Sequence, residues 1–257
     1  MTSRFPPLLV AALVAVLTAC GSDEAPADGE NTSGTARGLL SSVQEGEAGG
    51  SSEVPEQPGV LAPPAQEVSV DTLGFDYGDA DAPIRIVEFS DYGCGYCRRF
   101  HEDTWPVLLE QYIETGKVHW KFLPFVSGMF ANSLPASRAA ECTLAQGGDR
   151  FRTFNGRLWD NQAEWKGSND AESTLRAMAE DAGTSMDEWD ECMDSNRRID
   201  RVRAATGIAQ DLGVRGTPTF FVMGYPPLQG ALPTETFTQL LDMIYAQEVA
   251  AGNAGGA

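Results

Sequence analysis

Histidine is scarce in this chain, and so is positive charge. His101 and His119 are the only histidines, and 18 Lys and Arg face 37 Asp and Glu, a formal charge of −19. So acidic a polypeptide repels phosphate backbones and anionic lipid surfaces, which argues against a nucleic-acid role. Two histidines also leave little from which to build a metal centre. Long apolar runs are missing as well. The one candidate, Leu8 to Ala19, is about a dozen residues, short of the ~20 a membrane-spanning helix needs. Between positions 21 and 68 there is no aromatic residue, so that segment buries too little apolar area to offset its conformational entropy. No internal repeat occurs, and from Ala131 to Leu212 no convincing strand pattern is found.

What is present falls into four parts. Arg4 followed by the apolar run has the form of an export signal over residues 1–19. It ends in Leu17-Thr18-Ala19-Cys20, which resembles the lipobox of bacterial lipoproteins and implies lipidation of Cys20 as the first mature residue. The alternative is an ordinary secretory signal with Cys20 near the cut by chance. Residues 20–68, rich in Gly, Ser, Ala, Pro and Glu, are expected to be a disordered tether with a root-mean-square span of roughly 40 Å. Residues 69–248 form the expected folded domain, and the small-residue stretch 249–257 an expected disordered tail.

Within the domain, Val70, Leu73 and Phe75 suggest a first strand, and Ile84 to Phe89 a buried central one. A helical pattern follows from Cys97 to Glu114, with Pro106 inside it as an expected kink or helix break. Val118 to Phe122 alternates as a strand does. Helical segments are expected at Leu134–Gln146, Arg150–Asn161, Ala171–Ala182, Met186–Ser195 and Arg197–Leu212, with Gly213 as a C-cap. Strand character returns at Thr217–Met223 and at Leu228. An amphipathic helix over Thr234–Ala246 closes the domain. The implied class is α/β with an all-helical insertion at about 129–213.

The chemistry centres on Cys94-Gly95-Tyr96-Cys97. A thiol where a strand turns into a helix meets the helix N-terminus, whose free N–H groups and partial positive charge favour the thiolate. A zinc site would need a second close ligand pair, and Cys142 and Cys192 stand fifty residues apart. No metal and no cofactor are expected. Glu88 lies in an otherwise apolar strand, where a carboxylate is costly to ionise and so suited to proton transfer. The alternative is a structural ion pair, for example with Lys121. His101 follows Cys97 by one helical turn and could face it or solvent. Cys142 and Cys192 suggest a disulfide stapling the helical block, contributing about 3–4 kcal/mol in a chain-entropy model. Two buried free cysteines are the alternative. Thr217-Pro218-Thr219 opens a strand, where a proline calls for a special backbone.

The run from Ile84 to Cys97 and the string Gly213-Val214-Arg215-Gly216-Thr217-Pro218-Thr219-Phe220-Phe221-Val222 together resemble the thioredoxin-like superfamily, and within it the DsbA branch. The resemblance spans roughly Gly78 to Ala246 and implies a thioredoxin-like fold carrying a helical insertion. It implies that Cys94 is the exposed nucleophile, Cys97 the buried resolving cysteine and Glu88 the acid that handles the Cys97 proton. Pro218 would be a cis-proline facing the disulfide. Thr217, Gly95 and Tyr96 would join it in binding an extended substrate segment.

The expected function is extracytoplasmic thiol–disulfide exchange, oxidising cysteine pairs in exported polypeptides. The expected form is a monomer anchored to a bacterial membrane through Cys20 and served by a membrane redox partner. Gly95-Tyr96 differs from the Pro-His of the best-known DsbA enzymes and is the dipeptide of DsbC-type isomerases, as is Thr217 before the proline. A reductase or isomerase is therefore the first alternative. A non-enzymatic metal carrier or docking module using the Cys-x-x-Cys pair is the second.

Overall fold

The computed structural model describes residues 69–255. The expected signal at 1–19, Cys20, the tether at 20–68 and the last two residues of the tail lie outside the described residues. The domain is built on a five-stranded mixed sheet in the order β1-β3-β2-β4-β5. Its centre is the parallel pair β2 (Ile84–Ser90) and β3 (Val118–Pro124). β1 (Phe75–Tyr77) runs antiparallel to β3, and β4 (Thr219–Val222) antiparallel to β2. β5 (Leu228–Gln229) completes the far edge. All seven residues of β3 are buried, as a strand covered on both faces requires. Glu88 sits mid-sheet, in register with Phe122 on one side and Phe220 on the other.

The expected first strand is shorter and begins later. Val70–Thr72 is a 3₁₀ turn capped by the Ser69 hydroxyl, which accepts the Asp71 N–H at 3.2 Å. The chain enters β1 only after Gly74, at φ 63°, where an added Cβ would lie 2.0 Å from the Phe122 carbonyl oxygen. Only glycine tolerates both the conformation and the approach.

The helical run over Cys97–Glu114 breaks next to Pro106, one of the two outcomes that proline implied. α1 (Gly95–Asp103) ends at Thr104, α2 (Trp105–Leu108) follows, and Leu109–Ile113 is a π turn. Pro106 has no N–H to donate to the preceding turn, so it occupies the first turn of α2, where none is needed.

Between β3 and β4 lie α3 (Ser133–Leu144), α4 (Gly148–Asp160), α5 (Gln162–Trp165), α6 (Ala171–Asp181), α7 (Met186–Asp194) and α8 (Ile199–Asp211). Five of the six agree with the sequence pattern to within a few residues. The four-residue α5 is too short to leave a periodic signal. α9 runs Thr234–Gly255, so the tail expected to be disordered from 249 continues the helix through 255. Alanine is the best helix former, and no proline interrupts the run.

The larger core lies between the sheet, α1, α9 and the helical block. Phe100 packs on Phe220 with ring centroids 4.7 Å apart, and Phe220 on Phe237 at 5.1 Å. A smaller cluster of Leu73, Phe89, Leu123, Phe125, Ala205, Ala209 and Val214 forms under α8. Cys142 of α3 and Cys192 of α7 form a disulfide with Cα atoms 5.8 Å apart. Next to it, the buried Glu141 carboxylate accepts a hydrogen bond from Arg201 of α8 at 2.7 Å. Burial pushes the Glu141 pKa up and its arginines pull it back. The three helices are thus tied by one covalent and one ionic link.

The disulfide closes a loop of sequence separation 50. Replacing both cysteines with alanine is expected to lower unfolding free energy by about 3–4 kcal/mol in equilibrium denaturation. A loss below about 1 kcal/mol would show that the helical block holds without its staple.

Candidate active site

β2 ends at Ser90 and α1 begins at Gly95, so four residues must turn the chain from the sheet into the helix. Their geometry is fixed from several sides. The buried Asp91 carboxylate accepts the Gly93 N–H at 2.9 Å, the Ser127 N–H at 2.9 Å and the Ser127 hydroxyl at 2.7 Å. It also accepts the Ser133 hydroxyl. The Cys94 N–H closes the turn on the Asp91 carbonyl at 2.9 Å. Gln162 of α5 donates to the carbonyls of Tyr92 and Cys94, at 2.6 and 3.0 Å. At Gly93 an added Cβ would stand 2.4 Å from Phe130 Cβ and 2.5 Å from Ser133 Oγ, so the turn packs directly against the entry to the helical block.

Cys94 is the N-cap of α1 and has extended backbone angles. Its sulfur lies 3.4 Å from the Thr217 carbonyl oxygen. The Thr217–Pro218 peptide bond is cis. Between the cysteines, Gly95 is exposed and Tyr96 is 61% exposed, with the Arg99 guanidinium 5.4 Å from its ring centroid. Both thiols are unbridged and both are buried; Cys94, expected to be exposed, keeps only 6% of its surface accessible, because it packs in the main core cluster. Cys97 lies one helical turn inside and is fully buried.

The environments of the two sulfurs push their acidities apart. The Cys94 pKa falls from an ordinary 9.0 to about 5, chiefly through its hydrogen bond with Cys97. Thr217 and the backbone N–H groups of Cys97 and Tyr96 add to this, while burial opposes it. Burial drives the Cys97 thiol well above its ordinary value, and the neighbouring Cys94 sulfur adds to the rise. One cysteine is thus a thiolate at neutral pH and the other holds its proton.

Beneath Cys97, the buried Glu88 carboxyl group has three hydrogen-bond partners. His101 Nε2 is 2.8 Å from Oε1, the Ser90 hydroxyl donates to the same oxygen, and Trp120 Nε1 donates to Oε2 at 3.0 Å. The Ser90 hydroxyl is also within hydrogen-bonding reach of Cys97. The ion pair with Lys121 considered from sequence does not form. Lys121 Nζ donates to Asp76 Oδ2 at 2.8 Å and to the Leu73 carbonyl at 3.2 Å. It leaves the opposite face of the sheet because neighbouring side chains of a strand alternate.

His101 faces inward. Its ring stacks on Trp159, with centroids 4.4 Å apart and planes 7° from parallel. Sequence reasoning left its direction open and missed Asp91, Gln162 and Trp120 altogether. The i, i+4 spacing of Cys97 and His101 was the available signal for His101. Nothing local marks Gln162, which reaches the turn across 68 residues of chain. Among the described residues no group of three or more His, Cys, Asp or Glu is arranged to hold a metal.

Residues 72–243 match the protein-family model described as Thioredoxin. A putative protein-disulfide oxidoreductase of Rickettsia typhi is 27% identical over 158 residues, covering 60% of this chain and 56% of that protein. The chain thus spans little more than half the length of that relative. A probable disulfide bond formation protein D of Bacillus cereus is 29% identical over 151 residues, 57% of this chain and 68% of that protein. The crystal structure of alpha-DsbA1 of Wolbachia pipientis superposes with a TM-score of 0.63 at 23% identity, covering 72% of this chain and 99% of that one.

The acidity of Cys94 gives a direct prediction. Thiolate ultraviolet absorbance of the reduced protein should titrate with a midpoint near pH 5, and Cys97→Ala should move that midpoint upward. Because the folded value lies below the unfolded one, the thiolate stabilises the reduced fold. The contribution is complete above about pH 9 and lost as the pH falls through about 5. A midpoint above 8 would remove the electrostatic basis of the site.

Proposed function

The chain belongs to the thioredoxin family, and from that premise we propose that it is an extracytoplasmic thiol–disulfide oxidoreductase. It oxidises cysteine pairs in exported polypeptides through a Cys94–Cys97 disulfide. The observation that carries this reading is the division of acidity between the two sulfurs, with Cys94 near 5 and Cys97 raised by burial. In the oxidising direction a substrate thiolate attacks Cys94 Sγ. The Cys94–Cys97 bond breaks, a substrate–Cys94 disulfide forms, and Cys97 leaves with the electron pair and takes up a proton. A second substrate thiolate then attacks the substrate sulfur of the mixed disulfide, and Cys94 departs as a thiolate.

A low Cys94 pKa makes this last departure easy and stabilises the dithiol product, so the disulfide is a strong oxidant. That supports oxidation over reduction, as do relatives named for disulfide-bond formation. The second reading is a reductase or isomerase, favoured by the Gly95-Tyr96 dipeptide. In it, reduced Cys94 attacks a substrate disulfide and Cys97 releases the product. Glu88 serves as the acid and base for Cys97.

Thr217, Pro218, Gly95 and Tyr96 surround the nucleophile as the surface for an extended substrate segment. In this reading Tyr96, exposed and held beside Arg99, meets the substrate side chains. Cys142 and Cys192 staple the helical block. The protein works as a monomer, anchored through lipid on Cys20, and a membrane redox partner restores its disulfide. No described helix is long and apolar enough to cross a membrane.

Trapping separates the two directions. Cys97→Ala should accumulate mixed disulfides at Cys94, and their identification should give cysteine-bearing exported chains. Capture of one dedicated redox protein instead would favour the reductase. Cys20→Ser should release the protein from membranes, and persistent membrane association would overturn the lipid anchor.

A further inference from the structure

Each turn of the cycle requires Cys97 to gain or lose a proton, yet Cys97, Ser90 and Glu88 have no solvent exposure. The proton therefore needs a route, and the neighbours of Glu88 restrict it. The Trp120 N–H donates only and can accept nothing. The Ser90 hydroxyl accepts and donates, but it leads back to Cys97. That leaves His101, whose Nε2 is 2.8 Å from Glu88 Oε1 and whose imidazole can take a proton at one nitrogen and give one up at the other. The second nitrogen, Nδ1, is buried and has no hydrogen-bond partner among the described residues.

His101 forms the inner wall of a cleft of about 340 Å³ bounded by Tyr77, Trp105, Arg152, Asn155, Trp159 and Asp160. That is room for several waters at ~30 Å³ each. The Trp159 indole nitrogen, also buried, likewise lacks a partner among the described residues, so two polar atoms of the inner wall call for water. The outer wall carries exposed charge: Arg152 and Asp160 from α4 and Glu114 at the end of the π turn. From β1 the Tyr77 hydroxyl faces the same space, hydrogen-bonded to Asn155 at 3.4 Å. From β3, Lys121 is turned away and paired with Asp76.

We propose that His101 is a positioning and relay residue that carries the Cys97 proton from Ser90 and Glu88 into this cleft, where water exchanges it. The inference rests on the oxidoreductase reading and adds an exit to it. When the disulfide forms, His101 starts as the tautomer with its proton on Nδ1 and the Nε2 lone pair toward Glu88: the Cys97 proton passes through Ser90 to Glu88, Glu88 gives it to His101 Nε2, and the imidazole releases its Nδ1 proton to water in the cleft, leaving Nε2–H beside the Glu88 carboxylate. When the disulfide opens, the same sequence runs backwards. No electron moves along this path.

The test follows one step. Reduced protein is mixed with excess oxidised glutathione, which forms a Cys94–glutathione disulfide. Cys97 then displaces glutathione thiolate and closes the Cys94–Cys97 bond. Quenched flow with mass spectrometry measures both steps between pH 5 and 9.5. His101→Gln keeps an N–H for Glu88 but cannot relay. Adduct formation should be unchanged, while closure slows about tenfold or more at pH 7, with the deficit shrinking as pH rises and hydroxide takes the proton directly. Gly156→Met is the second variant. Gly156 lines the cleft and an added Cβ there meets nothing within 4 Å, so the side chain can displace water without touching the relay. It should slow closure in the same pH-dependent way with Cys94 titration unaltered, and it decides the matter if His101→Gln fails to fold. Closure at the wild-type rate in either variant, or a deficit independent of pH, overturns the relay. A wild-type protein that forms no adduct, or never closes it, overturns the oxidoreductase reading itself.

Discussion

A carboxylate buried in the middle of a sheet has to be fully hydrogen-bonded, and much of this site answers to that requirement. Glu88 has hydrogen-bond partners on its own strand, on β3 and on α1. The cost of an unpaired buried charge is several kcal/mol, so these three elements are held at one mutual distance and orientation. α1 is the element that carries both cysteines.

From that anchor the two thiols acquire opposite characters with little further apparatus. Cys94 stands at the amide end of α1 with 6% of its surface accessible, and Cys97 is one turn inward with none. Helix geometry alone puts one sulfur near unpaired N–H groups and the other in the core. Thr217, which follows the helical block in sequence, then brings its carbonyl to within 3.4 Å of the Cys94 sulfur. A redox pair needs this asymmetry, because one sulfur must leave readily while the other waits protonated.

The helical block is less peripheral than its place between β3 and β4 suggests. Its α5 supplies Gln162 to the active turn, its α4 supplies Trp159 to the face of His101, and the entry to α3 supplies Ser133 to Asp91. The disulfide and the Glu141–Arg201 pair lie at the other end of α3, where they join it to α7 and α8. Their effect is on the rigidity of the block that holds the turn, not on the chemistry of the thiols.

The succession of strands and helices apart from α5, the Cys-x-x-Cys pair and the run around Thr217-Pro218 are legible along the chain. Each is written in local periodicity or in adjacent residues. The sequence also marked Glu88, since one acid in an apolar strand stands out. That Lys121 turns to Asp76 and His101 to Glu88, and that Gln162 reaches the active turn, comes from the packing of distant elements. Side-chain direction across a sheet depends on register and on which neighbours fill the space behind it. A hydrogen bond spanning 68 residues leaves no trace in the periodicity of either segment. The polar contacts that fix the geometry of the site belong to the packing of distant elements, which a pattern read along the chain does not contain.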